Sequence, residues 1–215
     1  MVSSSITFHP VQFHSCHNQY GRVHELNSRD RAGVLYNLKP VSPFCLSLLP
    51  SVFKVVEILH SRSVLRGIGV ENRKGGTEVV TFVDKPMMFT ISNPGVVFIP
   101  AISGLVSMNC RIFLNLLDYM AFLTLKKKRK ECFIEDYDCF ILNDVRNYVQ
   151  FQLDIDDYEE VYSYMPNNLV GNTIYKTLFT RKTNVENCIS DFMGFQSLFD
   201  CLLSLLDDEG KKKVQ

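Results

Sequence analysis

GLVSMNCRIFLNLLDYMAFLTLKKKRK, residues 104–130, is the stretch whose reading decides the fold class of this chain. It is the longest dense apolar pattern in the 215 residues and it ends in five consecutive cations. At about 100° per residue, Ser107, Arg111, Asn115 and Asp118 share one narrow polar stripe, and apolar side chains from Leu105 to Leu123 cover the rest of the circumference. A helix apolar over that much of its surface belongs inside a core. Lys126 to Lys130 fall where the negative end of a helix dipole accepts positive charge. The expectation is a long buried helix over residues 104–127.

Upstream, SLLPSVFKVVEILHSRSVLR (residues 47–66) spaces its apolar residues as a helix does, with Pro50 tolerated in the first turn. EVVTFV (78–83) and PMMFTI (86–91) have the β-branched and aromatic content of strands, and a short strand at 96–99 follows the Asn93-Pro94-Gly95 turn. Downstream, residues 132–142 and 148–155 read as two more strands. Val149, Phe151, Leu153 and Ile155 alternate with polar residues in the second of them. A short helix is expected at 156–164, residues 169–180 fit strand and helix equally, and a last amphipathic helix is expected over 184–206, capped by Asn184. The fold class expected is α+β: a mixed or antiparallel sheet packed against a long buried central helix and a C-terminal amphipathic helix. Residues 1–31 read as a polar, His-rich arm, 32–206 as one globular domain and 207–215 as a charged tail.

A hydrophobic content of 46% with 21% charged residues excludes wholesale disorder. Seven scattered cysteines and no leader-like segment favour a reducing, intracellular setting: cytoplasm, with the nucleus as a second compartment. Ala at only three positions beside abundant Phe, Asn and Lys is what an A/U-rich coding sequence yields, which favours a viral or similarly biased genome. The net charge of zero conceals segregation. Residues 1–130 hold 16 basic and 7 acidic residues, whereas residues 131–160 hold 10 acidic residues and one basic.

Lys126, Lys127, Lys128, Arg129 and Lys130 match the form of a nuclear-import signal, basic runs of this length also contact polyanions, and the plainer reading is a helix end complemented by lysines. On the last helix, Phe195, Leu198, Leu202, Leu205 and Leu206 form an apolar face able to insert into a partner's groove or to pair with a second copy. His14, Cys16, His17 and His24 supply zinc-type ligands without a strong zinc spacing, so no cofactor is expected beyond that one candidate. Glu135, Asp136, Asp138, Asp154, Asp156 and Asp157 would crowd together if their strands paired, the arrangement of a divalent-metal nuclease. A membrane span near residue 110 is disfavoured, since Arg111 and Asp118 would each cost roughly 2.5–3.5 kcal/mol at mid-bilayer. No nucleophile elbow, metalloprotease helix or phosphate loop is present, so the balance leans away from an enzyme. The first functional reading is therefore a non-enzymatic interaction protein, a small viral accessory factor engaging host proteins. The second is a nucleic-acid-binding module using the basic half and Lys126–Lys130. The third is the nuclease.

Overall fold

The computed structural model describes residues 43–60, 63–82, 86–101, 107–130, 137–182, 184–192 and 194–212. Two sheets carry the architecture. The first is a four-stranded antiparallel meander, β1 (Lys54–His60), β2 (Ser63–Glu71), β3 (Thr77–Phe82) and β4 (Pro86–Ile91), in sequential order. The second has five strands in the order β5-β7-β6-β8-β9: β5 (Val97–Ile99), β6 (Asn109–Phe113), β7 (Asp138–Ile141), β8 (Glu160–Tyr164) and β9 (Val185–Asn187). β5 runs antiparallel to β7, while the β7-β6, β6-β8 and β8-β9 pairs are parallel. The chain is an α+β protein with one antiparallel and one mixed sheet.

The central helix is shorter than the pattern suggests. Helix α1 spans Leu116–Lys128, because Asn115 caps it by accepting the Asp118 amide, and residues 109–113 lie in extended backbone as β6. Two parallel neighbours claim that segment: Arg111 pairs with Cys139 on one side and Tyr162 on the other. Every residue of α1 from Leu116 to Leu125 is buried. The helix is apolar all round because its core cluster includes residues of both sheets, Val55, Ile68 and Val80 from the meander and Phe113, Ile141 and Tyr164 from the mixed sheet. Its polar members are used as ties. Thr124 Oγ1 donates to Met120 O and accepts the Cys45 amide, and Asp118 accepts the Phe199 amide.

Several expected elements are replaced. The 47–66 helix is the β1–β2 hairpin, held by Val55 opposite Ile68 and Lys54 opposite Gly69, pairings that a local period cannot show. The 148–155 strand is a helical crossover: a 3-10 turn at Val145–Asn147, α2 (Tyr148–Phe151) and a second 3-10 turn at Ile155–Asp157. Residues 160–164, expected as a helix, form β8. Residues 169–180 resolve as α3 (Leu169–Arg181), capped by Asn168. The terminal helix begins late, as α4 (Leu198–Lys212), because β9 and a 3-10 turn at Cys188–Phe192 take up the preceding residues. The crossover and α3 cover the second face of the mixed sheet, where Phe140, Phe151, Ile155, Ile174 and Leu178 share one core.

Candidate nucleic-acid interface

The basic run occupies the end of α1. Lys126 to Lys128 form its last turn, Arg129 closes it, and Lys130 leaves with φ +55°. The run is exposed from Lys127 onward but is helical, not extended. Lys128 Nζ bridges both carboxylate oxygens of Glu209 on α4 at 2.6 and 2.8 Å. Lys127 Nζ lies 3.2 Å from Cys45 Sγ, and the paired ammonium together with the Ser47 hydroxyl more than offsets burial, holding that thiol below its usual range.

Beside this run the mixed sheet contributes an aromatic surface. α1 runs back along β6: Tyr119 and Phe122 meet Phe113 at the end of the strand, and Phe122 also meets Arg111 nearer its start. Arg111 and Phe113 project from β6 toward α1, and Cys110 and Ile112 project into the opposite core. The Arg111 guanidinium sits 4.0 Å from the Tyr137 ring centroid and 5.2 Å from that of Phe122 on α1. Lys126 Nζ lies 5.7 Å from the same Phe122 ring, and Arg129 stacks 4.5 Å over Phe192. Tyr137 meets Tyr162 edge to face at 5.3 Å. The Tyr162 hydroxyl donates to Glu160 at 2.7 Å, which raises its pKa. Tyr137 and Tyr162 are half-buried, so each ring is seated by the fold and keeps part of its surface in solvent. Glu160 and Glu186 are the acids that flank this surface on β8 and β9.

Sequence reasoning found the lysines and missed Arg111, Tyr137 and Tyr162. The available signal was the alternation within the strands. Arg111 stands between two buried residues of β6, and Tyr162 between two of β8, so in extended backbone both share a face.

At the other edge, the carboxyl ends of β6, β7 and β8, open α/β sheets ordinarily receive ligands. Here Asp118 and Asp144 are committed to the fold. Asp118 is buried, accepting the Phe199 amide at 3.1 Å and Asn115 Nδ2 at 3.0 Å, and burial pushes its carboxyl up to about 6. Asp144 is closed by Arg146 at 2.8 and 2.6 Å, which lowers its pKa. Asn143, buried with φ +59°, has neither side-chain amide atom hydrogen-bonded.

The acids of the nuclease reading do not converge, because residues 148–155 form no strand. Asp138 is buried and accepts the Tyr158 hydroxyl and the Ala101 amide, Asp154 binds Arg73 at 2.5 Å, and Asp156 binds Arg181 at 2.6 Å. Among the described residues no three His, Cys, Asp or Glu side chains are grouped to hold a metal ion. Glu135 and Asp136, like His14, Cys16, His17 and His24, lie outside the described residues. Leu198 and Leu202 of α4 are fully buried in the core around α1 and Leu206 packs partly against it, Leu205 faces solvent, and Phe195, which precedes α4 instead of lying on it, also packs partly against that core. Among the described residues no helix is long and apolar enough to cross a membrane.

Comparison with protein-family models and with curated sequences finds no match. Among solved structures the chain is similar to the primase fragment of the bacteriophage T7 primase-helicase protein, at 9% identity and a TM-score of 0.47, over 75% of this chain and 67% of that one. A superposition at that level assigns no function.

Proposed function

We propose that this chain is a nucleic-acid-binding module that holds a single strand across the amino edge of its mixed sheet. The observation that supports the reading is Arg111, whose guanidinium lies within cation–π range of both Tyr137 and Phe122, with Lys126 near the same Phe122 ring. Cations that track phosphates beside partly open aromatic rings are the ingredients of sequence-tolerant single-strand binding. Bases stack on Tyr137 and Tyr162, and phosphates meet Arg111, Lys126, Arg129 and Lys130. The committed acids at the opposite edge favour binding over catalysis.

Fluorescence anisotropy with labelled oligonucleotides tests this. Affinity should fall as salt rises, and replacing Lys126, Arg129 and Lys130 by Ala should flatten that dependence by about 0.7 in log–log slope for each phosphate no longer neutralised. Tyr162→Ala should weaken binding by about 1–3 kcal/mol and leave the slope in place. Retention that is absent, or indifferent to salt, would overturn the assignment.

A second reading, a viral accessory protein that engages host proteins, is favoured by a different observation. Val149, Leu153 and Leu169 stand 69%, 78% and 84% exposed on the crossover and the first turn of α3. Affinity purification from the native cells with wild type and Leu153→Asp tests it: partners should be lost with the substitution. Cys45, Cys110, Cys139, Cys188 and Cys201 form no disulfide, which supports an intracellular, reducing compartment for either role.

A further inference from the structure

We propose that Glu186 reads the base held on Tyr162 and gives the single-strand site a preference for guanine. This rests on the single-strand reading and names the base that the site selects. The parallel register of the mixed sheet sets Arg111 beside Tyr162 and Tyr162 beside Glu186, one residue from each of β6, β8 and β9. Val161 and Val185, their neighbours along β8 and β9, are buried in the opposite core, so Tyr162 and Glu186 share the face that Arg111 occupies. A cation, an aromatic ring and a carboxylate thus form one row across three strands. Glu186, at the end of that row, is exposed.

The row orients a nucleotide. Phosphate is drawn to Arg111 and repelled by Glu186, so the backbone lies on the β6 side and the base edge points toward β9. The backbones of Arg111 and Glu186 are two strand spacings apart, about 10 Å, with the base on Tyr162 between them. Of the two acids beside the ring, Glu160 is occupied by the Tyr162 hydroxyl at 2.7 Å. No described residue hydrogen-bonds or ion-pairs to Glu186. A carboxylate only accepts, so it selects a base edge whose donors stand side by side. Guanine presents N1–H next to its N2 amino group, one donor for each carboxylate oxygen. Adenine and cytosine set an accepting ring nitrogen beside their amino group, and thymine flanks its single N–H with two carbonyls. Each of these three turns an acceptor toward the carboxylate.

Fluorescence anisotropy of the full chain with three labelled strands tests the proposal: an oligothymidine, the same strand with guanine at every third position, and that strand with inosine for guanine. Wild type should bind the guanine strand about tenfold more tightly than oligothymidine. Inosine lacks the N2 amino group and should remove most of that gain. Glu186→Gln should bring the guanine and thymine strands within about twofold of one another and leave the salt slope as in wild type. Salt-dependent binding of all strands alike, inosine binding as guanine does, or a Glu186→Gln variant that keeps the preference overturns the role of Glu186 and leaves the single-strand reading standing. Binding that is absent or indifferent to salt with every strand overturns both.

Discussion

Asp118 shows how one buried group sets a measurable property. Its carboxyl is the joint between the first turns of α1 and α4, and burial raises its pKa to about 6 from an ordinary 3.8, against the hydrogen bonds from the Phe199 amide and Asn115 that lower it. The folded chain therefore holds this proton more tightly than the unfolded chain. The contribution to stability is fully present below about pH 4 and is lost as pH rises through 6, a change of about 3 kcal/mol for a shift of this size. Asp118→Asn should flatten that part of the pH profile, which urea midpoints on either side of pH 6 would show; an unchanged profile would mean that the carboxyl is not seated as described. Glu78 is a second buried acid, raised by burial and held by Asn72 Nδ2, Thr90 Oγ1 and the Gly95 amide. Asn72 also accepts the amides of Lys74 and Gly76, so Asn72→Ala strands partners on both sides. A loss of about 2–3 kcal/mol in denaturant unfolding is expected.

At the scale of elements, what was legible depended on whether the decisive pairings were local. β3, β4 and β5 were readable because β-branched and aromatic runs sit between turns that need no distant partner. Residues 47–66 misled because Val55 and Val56 fit a helical face as well as a strand, and only pairing with Ile68 and Gly67 decides between them. The 148–155 alternation misled in the opposite sense: Phe151 and Ile155 are buried one turn apart, while Val149 and Leu153, placed on the same expected face, are exposed. The site shared this fate. Its lysines were visible as a run, whereas Arg111 met Tyr137 and Tyr162 only once the parallel pairing of β6 with β7 and β8 was formed. Two substitutions test the elements themselves. A Cβ at Gly171 would lie 1.9 Å from the Pro166 carbonyl oxygen, so Gly171→Ala should cost about 1–3 kcal/mol by forcing apart the β8–α3 turn. Phe113, fully buried and stacked on Tyr164 at 5.0 Å, bridges sheet and helix; Phe113→Ala should cost about 3–5 kcal/mol in thermal or denaturant unfolding.

At the scale of the molecule, the segregated charge of the sequence is resolved unevenly. Acids from the 131–160 block are spent internally, Asp138 on Tyr158, Asp144 on Arg146, Asp154 on Arg73 and Asp156 on Arg181. The cations at the end of α1 stay at the surface, several of them resting on aromatic rings. On the proposed reading, the edge of the mixed sheet beside these cations is where a polyanion binds. The most direct measurement is photo-crosslinking of the intact chain to a halogenated single-stranded oligonucleotide at low salt, followed by mass-spectrometric mapping of the adducts. Adducts on Tyr137 and Tyr162 that disappear as salt rises are expected; adducts confined to other segments, or none at all, would contradict a single-strand interface at this edge.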